Sequence, residues 1–206
     1  MAAEHTADDN KEHIMHTSSI LRSASLGAGL LLALSVHGAA SASTSTAAPG
    51  ADADLVQART VIVDQSLPKA QAQAAMLAAR RYATFWNTGE DRFAQAALAP
   101  RFTDRTLPPG RAQGPQGPLA ASTFVRTAIP DLRADLQQMI VTGDRVTAHY
   151  RFHGHFTGQW AGTQGKGQDI DFIATDIYRI EGGSIVDNWH IEDNLTLMRQ
   201  LGLVAR

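Results

Sequence analysis

Residues that can exchange protons cluster toward the C-terminal end of this sequence. His190 lies in the run IVDNWHIEDNLTLMRQLG, Ile185–Gly202, which begins with a strand-like pattern and ends with a helix-like one. Asp176 lies in the preceding strand-like run. An imidazole ordinarily has a pKa of about 6.5, so it can remove a proton alpha to a ketone, while a neighbouring carboxylate fixes its tautomer and stabilises the imidazolium. His190 and Asp176 are therefore the candidate catalytic pair.

The distance between these two side chains depends on the turn that joins their strands. If residues 181–183 form a three-residue loop, Asp176 lies opposite Asn188 and diagonal to His190, about 7–8 Å away on the same sheet face. A two-residue turn at Gly182-Gly183 shifts the pairing by one residue and sends the pair to opposite faces. The residues alone leave both turns open, and the three-residue loop is the one that would allow Asp176 and His190 to meet directly or through one water.

The same register collects apolar side chains on the other sheet face. An apolar sheet face does not remain comfortably in water, so a second subunit should cover it, and we expect a homodimer. Alternatively, this face is the core of a single chain and His190 faces solvent, and the residues alone do not decide between the two arrangements. The apolar residues of this face are Ile173, Ile177, Ile185, Trp189 and Ile191.

Helices precede strands along the chain. Apolar residues at helical spacing predict a helix from Lys69 to about Asn87 that stops at Gly89, and Pro100 and Pro130 should end two further helices, at 90–98 and 119–129. From residue 131 onward the apolar period changes to two, with hairpins at Gly143-Asp144 and at residues 181–183 and a Gly-rich loop at 158–167. This order predicts an α+β fold, with helices on one face of an antiparallel sheet.

The N-terminal third of the chain contains a short apolar run followed by small residues, and it lacks the helix and strand patterns of the rest of the chain. Leu26–Val36 is a short apolar run, preceded by Arg22 and followed by Ala40-Ser41-Ala42, which is typical of a secretory signal peptide cleaved after Ala42. We therefore expect export to the periplasm or medium, with no stable membrane association after cleavage. An uncleaved anchor is the alternative, and translation could begin at Met1 or Met15. Residues 43–68 should form a flexible linker or lead-in, and residues 69–206 the folded domain.

Composition excludes several classes of function. The 206 residues carry a net charge of -2 without a basic run, which argues against nucleic-acid binding. The chain contains no cysteine, so disulfides, thiolate metal sites and iron–sulfur clusters are excluded. His149 and His153 alternate on one strand, but two histidines without a placed carboxylate are more typical of a polar sheet face than of a metal site. We expect neither a metal nor another cofactor.

Three sequence blocks resemble one family. They are FWNTGEDRF at 85–93, PDLRADLQQMIVTGDRVTAHYRFHG at 130–154 and DIYRIEGGSIVDNWHIEDNLTLMRQLG at 176–202. Together they resemble the SnoaL-like polyketide cyclases, or ester cyclases, of the nuclear-transport-factor-2-like superfamily. The resemblance implies a cone: a curved antiparallel sheet packed on three N-terminal helices, a pocket between sheet and helices, a short C-terminal helix, and dimers formed through the sheet. It also implies cofactor-free chemistry on a small apolar carbonyl compound, by a cyclase, isomerase or hydrolase.

The resemblance favours the three-residue loop at 181–183, because in these cyclases the position of His190 faces the pocket. Site residues carry over position by position. At the position of His190 these cyclases have the aspartate that acts as general acid/base, and at the position of Asp176 they have a histidine, so the two residue types are exchanged here. Ala174 stands where the family has glutamine, and Asp104 where it has a pocket asparagine. A donor such as Tyr82, Trp86 or His155 would stabilise an enolate oxygen. We expect these residues, with Phe172 and Asp193, to bind substrate, although Asp193 also fits a helix N-cap. A non-catalytic binding module of the same fold is the alternative function.

Overall fold

The computed structural model describes Asp52 and residues 54–205, which belong to one compact unit. The predicted signal peptide, residues 1–42, lies outside the described residues. The described residues form four helices and eight strands. Among them, no helix combines the length and the hydropathy needed to cross a membrane.

The helices follow the predicted order, with small differences at their ends. They are α1 (Lys69–Thr88), α2 (Asp91–Ala97), α3 (Gln116–Ala128) and α4 (Asn194–Gln200). The strands are β1 (Thr60–Val63), β2 (Leu98–Asp104), β3 (Arg133–Thr142), β4 (Arg145–Phe156), β5 (Gln159–Trp160), β6 (Thr163–Gln164), β7 (Gln168–Glu181) and β8 (Ser184–Glu192). The result is the α+β architecture expected from the sequence, with a short C-terminal helix.

Helix α1 packs against the sheet, mainly against β3. Its apolar positions recur at helical spacing, so alanines and the rings of Tyr82 and Phe85 are buried along one side. The helix ends at Gly89, whose φ of 78° is left-handed and whose N–H donates to the Phe85 carbonyl at 2.7 Å. The predicted stop signal is confirmed, and it fixes where the aromatic end of α1 lies.

Six strands form the main sheet in the order β1-β3-β4-β7-β8-β2. The central pairs are antiparallel as expected, but both edge strands run parallel to their neighbours. The sequence analysis missed both edges. Pro100 was expected to end a helix, yet it lies within β2. An edge strand tolerates proline because the strand pairs on one side only, so the missing N–H can face away from the sheet.

The other edge strand lies in the segment expected to be a flexible linker or lead-in, residues 43–68. Within it β1 pairs with β3, and Leu55 is buried in the hydrophobic core, so this part of the segment packs as an extended lead-in. The N–H of Val56 also donates to the Thr84 side chain on α1 at 2.9 Å. The packed domain therefore begins before Lys69, close to Leu55.

The β7–β8 hairpin differs from the predicted register. It closes with the two-residue turn, because Glu181 pairs with Ser184, and the three-residue loop was wrong. The register then shifts between Arg179 and Ile180, which leaves Val186 as an extra residue in β8. This bulge moves the pairing by one more position. Asp176 consequently lies directly opposite His190, on the same face.

The bulge also reassigns one residue of the outer sheet face. Ile185 was expected there, but it lies before the bulge, pairs with Ile180 and is buried in the core. Ile173, Ile177 and Ile191 are exposed, with relative accessibilities of 49%, 42% and 75%. The outer face therefore retains an exposed apolar strip without Ile185.

Candidate functional site

A cavity of about 460 Å³ lies between the inner face of the sheet and helices α1 and α3. Much of its wall is aromatic, and this part of the wall comes from two helices and three strands. A wall of this kind suits a flat, largely apolar ligand. The aromatic wall residues are Tyr82, Trp86, Phe124, Phe152, Trp160 and Phe172.

Asp176 forms the buried polar centre of the cavity floor. Its side chain is only 4% exposed and accepts three hydrogen bonds. The Tyr178 hydroxyl donates to one oxygen at 2.8 Å, while Asn188 Nδ2 at 3.0 Å and His190 Nδ1 at 2.7 Å contact the other. Tyr178 and Asn188 are donors, and His190 Nδ1 is a third donor when it carries a hydrogen, so both oxygens of this buried side chain have hydrogen-bond partners.

His190 contacts a carboxylate through each ring nitrogen. Nδ1 lies 2.7 Å from Asp176 Oδ1, and Nε2 lies 3.2 Å from Glu192 Oε2. Burial lowers the pKa of His190, but the hydrogen bonds to Asp176 and Glu192 outweigh burial and raise this pKa to about 10. At neutral pH the ring is therefore an imidazolium held between two carboxylates.

Buried tyrosines extend this network into the core. Tyr150 and Tyr178 join their hydroxyls at 2.9 Å, and Tyr178 then donates to Asp176. Burial, and secondarily the charge of Asp176, raises the pKa of Tyr150, of Tyr178 and of Tyr82 above the usual value. These phenols stay neutral, so Tyr150 and Tyr178 act as hydrogen-bond donors that orient the carboxylate.

Asp104, the last residue of the edge strand β2, and Thr106, which follows just beyond it, support His190. The His190 backbone N–H donates to Thr106 Oγ1 at 2.9 Å. The Thr106 hydroxyl and N–H in turn donate to Asp104 Oδ1 at 3.1 and 2.9 Å. Asp104 and Thr106 both line the cavity, so the missed strand β2 supplies one wall and holds β8 in place.

The predicted substrate-binding residues divide into two groups. The structure brings Tyr82, Trp86, Asp104 and Phe172 to the cavity wall, next to Asp176 and His190. The remaining three occupy other places.

Ala174 is buried within the core cluster rather than at the cavity surface. The His155 side chain is 57% exposed and pairs with Asp131 at 2.6 Å, so this histidine is not a wall residue of the cavity. The Asp131 hydrogen bond raises the pKa of His155. Asp193 caps α4 by accepting from the Thr196 N–H at 3.0 Å, which leaves a structural role for this carboxylate.

Glu192 is one of several cavity residues that the sequence analysis missed, and it is the one whose carboxylate contacts the His190 ring. It lies two residues beyond His190 on β8, and period-two alternation places both side chains on the same face. The signal was therefore present in the sequence. The described part of the chain contains no group of three His, Asp or Glu side chains arranged to hold a metal ion.

Comparison with known proteins identifies one family and several solved structures that this chain resembles. The sequence profile of the SnoaL-like polyketide cyclase family matches residues 76–201. A crystal structure from Bacillus cereus, of a protein named as a candidate polyketide cyclase, is 35% identical with a TM-score of 0.67; the alignment covers 74% of this chain and 96% of that one.

Two Streptomyces structures are also similar. TsrD from Streptomyces laurentii is 28% identical with a TM-score of 0.58, over 67% of this chain and 99% of that one. IdmH from Streptomyces antibioticus, another candidate polyketide cyclase, is 25% identical with a TM-score of 0.55, over 61% of this chain and 96% of that one. Sequence comparison found no match among curated proteins. With the family profile covering more than half of its length and a 35% identical structure sharing its fold, the chain belongs to the SnoaL-like polyketide cyclase family.

Proposed function

We propose that this protein catalyses cofactor-free proton transfer on a small, largely apolar carbonyl compound, as a cyclase, isomerase or hydrolase of polyketide-type metabolism. The observation that carries the proposal is the contact series Asp176–His190–Glu192 on the floor of an aromatic cavity. Ionisable groups in contact at the floor of an apolar cavity are typical of acid/base catalysis.

The imidazolium of His190 supplies the electrostatic part of this chemistry. Its side chain is 28% exposed and lines the cavity, so a substrate oxygen can approach the charged ring. A carbonyl oxygen gains negative charge when the adjacent carbon loses a proton. A fixed cation in a site of low dielectric stabilises that charge more strongly than water does.

The aromatic walls supply the binding part. Trp86 and Phe152 meet edge to face at 6.2 Å, while Phe152 and Phe172 stack at 5.2 Å, so they form a continuous apolar surface above the polar floor. A flat ligand can lie against these rings with its carbonyl group directed toward His190. Names of similar proteins from Bacillus cereus and Streptomyces antibioticus point to polyketides as the class of substrate.

The test is turnover by residues 43–206 in aldol, isomerase and ester-hydrolysis assays on aromatic and polyketide-like carbonyl compounds. His190→Gln should lower turnover of carbonyl compounds at least about 100-fold, in the usual range for the loss of one group that stabilises a developing oxyanion. His149→Gln is the matched control, because His149 contacts Thr175 on the outer sheet face. Ligand binding without turnover would instead support a non-catalytic binding module of the same fold.

We also propose that the protein is exported and forms a homodimer through the exposed strip of the outer sheet face. The apolar run at 26–36 and the small residues that follow it support export. Mass spectrometry of the chain expressed with residues 1–42 should find Ser43 as the mature N-terminus. An intact chain in the membrane fraction would contradict cleavage.

A further inference from the structure

The hydrogen-bond pattern around His190 leaves that residue without a free lone pair, although the exchange of residue types seen in the sequence made it the expected base. We propose that Glu192 is the catalytic residue that removes the substrate proton, and that His190 acts as a fixed cation beside it. This inference rests on the proposed function, because it assigns the proton acceptor within the same cavity.

The first step is a count of donors and acceptors. A carboxylate that has lost its proton can only accept hydrogen bonds, and each imidazole nitrogen is either a donor or an acceptor. Nδ1 and Nε2 of His190 each face a carboxylate oxygen, at 2.7 and 3.2 Å. Both nitrogens satisfy these contacts only as N–H donors. His190 therefore has no lone pair with which to take a proton from carbon.

The Glu192 carboxylate has one oxygen in contact with His190 and one that remains available. Its side chain lines the cavity and is 29% exposed, and Oε2 accepts from His190. Among the described residues, Oε1 has no hydrogen-bond partner, so this oxygen can approach a substrate carbon. The adjacent imidazolium holds Glu192 in one position while leaving half of the carboxylate available.

The third step compares Glu192 with the other ionisable groups that face the cavity. These are Tyr82, Asp104, Asp176 and Arg111. Arg111 carries a cation, and burial raises the pKa of Tyr82, so neither side chain accepts a proton near neutral pH. Asp176 is almost wholly buried and already accepts three hydrogen bonds. Asp104 is the remaining competitor, and two hydrogen bonds from Thr106 occupy its Oδ1.

The proposed step balances without any external reagent. The Glu192 carboxylate takes a proton from the carbon alpha to the substrate carbonyl, and the C–H electron pair forms the enolate. The positive charge of the His190 ring stabilises the negative charge on the enolate oxygen. In a ring closure the enolate carbon then attacks a second carbonyl carbon, and the resulting alkoxide takes the proton back from the Glu192 carboxylic acid.

The test uses 5-nitrobenzisoxazole, a flat aromatic probe that reports proton removal from carbon independently of any carbonyl substrate. A base removes its ring C–H proton, the N–O bond breaks, and the coloured nitrophenolate product is measured by absorbance. A carboxylate base is already ionised near neutral pH, so the rate above the buffer reaction should be level from about pH 6.5 to 8.5. A histidine base between two carboxylates would instead give a rate that rises about tenfold per pH unit over this range.

Variants separate the candidates. Glu192→Gln should lower the probe rate at least about 100-fold at pH 7, whereas Asp104→Asn should lower it less than about tenfold. His190→Gln removes the cation and the contact that positions Glu192 but leaves the base in place, so its loss should be smaller than that of Glu192→Gln. Glu192→Asp keeps a carboxylate on a shorter chain, so it should give a reduced rate with the same level pH profile. Circular dichroism and thermal melting check that each variant is folded.

Three outcomes overturn the proposal: a rate that climbs steadily from pH 6.5 to 8.5, a loss with His190→Gln or Asp104→Asn as large as that with Glu192→Gln, or no probe turnover above buffer. Failure of the proposed function is distinguishable from these. In that case the carbonyl compounds would show no turnover, while the probe would still react through Glu192.

Discussion

The Tyr178 hydroxyl donates a hydrogen bond to the Asp176 carboxylate at 2.8 Å, and both side chains are almost completely buried. Tyr150 lies behind Tyr178, and His190 and Glu192 follow Asp176 toward the cavity. Five polar side chains therefore run from the core to the ligand space. Each inner member fixes the orientation of the next one, which keeps the site ordered before a substrate arrives.

Replacing Tyr178 with Phe tests the innermost part of this chain. The substitution removes one donor from a buried carboxylate, so the free energy of unfolding should fall by about 1–3 kcal/mol. Urea denaturation at pH 7 measures this change. Tyr150→Phe is the matched control, because it removes a hydroxyl that contacts Tyr178 and leaves all three donors to Asp176 in place. An equal fall in the free energy of unfolding in both variants would show that the hydrogen bond from Tyr178 to Asp176 contributes no more to stability than the one between the two tyrosines.

The contacts of His190 with two carboxylates make the free energy of unfolding depend on pH. The pKa of His190 is about 10 in the folded protein, against an ordinary 6.5. Between these values the folded chain holds a proton that the unfolded chain has released. The stabilisation is therefore complete below pH 6.5 and is lost as the pH rises toward 10, by up to about 1.4 kcal/mol per pH unit.

Urea denaturation from pH 6.5 to 9.5 checks this dependence, with His190→Gln as the comparison. The difference in unfolding free energy between wild type and variant should shrink as the pH rises. The comparison is needed because the pKa of His155 is raised as well, so the wild-type slope alone contains two histidines. A difference that stays constant over this range would contradict a protonated His190.

The exposed apolar strip of the outer sheet face predicts the oligomeric state. Ile173 and Ile177 are 49% and 42% exposed on β7, and the sequence analysis assigned both to a subunit interface. A lysine at either position would place a charge inside that interface, which is costly to bury without a partner. Ile173→Lys and Ile177→Lys should therefore convert the homodimer to a monomer in size-exclusion chromatography with light scattering.

Val204→Lys is the control for this experiment, because Val204 is 43% exposed near the C-terminus and lies outside the sheet. It should leave the oligomeric state unchanged. A wild-type protein that is monomeric at micromolar concentration would contradict the proposed interface.

Local patterns in the sequence predicted the helices and the central strands, because these elements follow the spacing of apolar residues. Gly89 ends α1 through its left-handed φ, and the Gly143-Asp144 turn lies between β3 and β4 as expected. The edge strands were missed because pairing to one neighbour is a tertiary contact. Thr60–Val63 carries no signal for which strand it joins, and Pro100 is a strong stop signal that an edge position overrides.

In the candidate site, too, local spacing predicted some features, while others depend on tertiary contacts. The sequence predicted that Asp176 and His190 share a face, although the predicted turn was wrong, because the Val186 bulge restores the alternation that a two-residue turn removes. A bulge depends on packing on both sides of a strand, and the sequence does not display it. Glu192 required only the period-two rule, but the charge of His190 could not be inferred before both carboxylates were seen to contact its ring.

Gly158 sets how closely the β5–β6 hairpin approaches α3, and this hairpin contributes Trp160 to the cavity wall. A Cβ at this position would lie 1.9 Å from the Thr127 carbonyl oxygen, so no side chain fits there without moving the end of α3. The Gly158 N–H also donates to the Ala128 carbonyl at 2.9 Å. Two residues later Trp160 meets Phe124 at 4.8 Å, and both rings line the cavity. The close backbone approach at Gly158 therefore determines where this aromatic pair stands.

Gly158→Ala should lower the free energy of unfolding by about 1–3 kcal/mol through overpacking, and it should weaken the binding of flat aromatic ligands by displacing Trp160. Urea denaturation measures the first effect, and titration of tryptophan fluorescence with the benzisoxazole probe measures the second. Gln159→Ala is the control, because this neighbouring side chain is exposed on the same hairpin. Retained stability in Gly158→Ala would mean that the hairpin and α3 separate easily. Trp160 would then be a movable wall of the cavity, and the cavity would admit ligands larger than its 460 Å³.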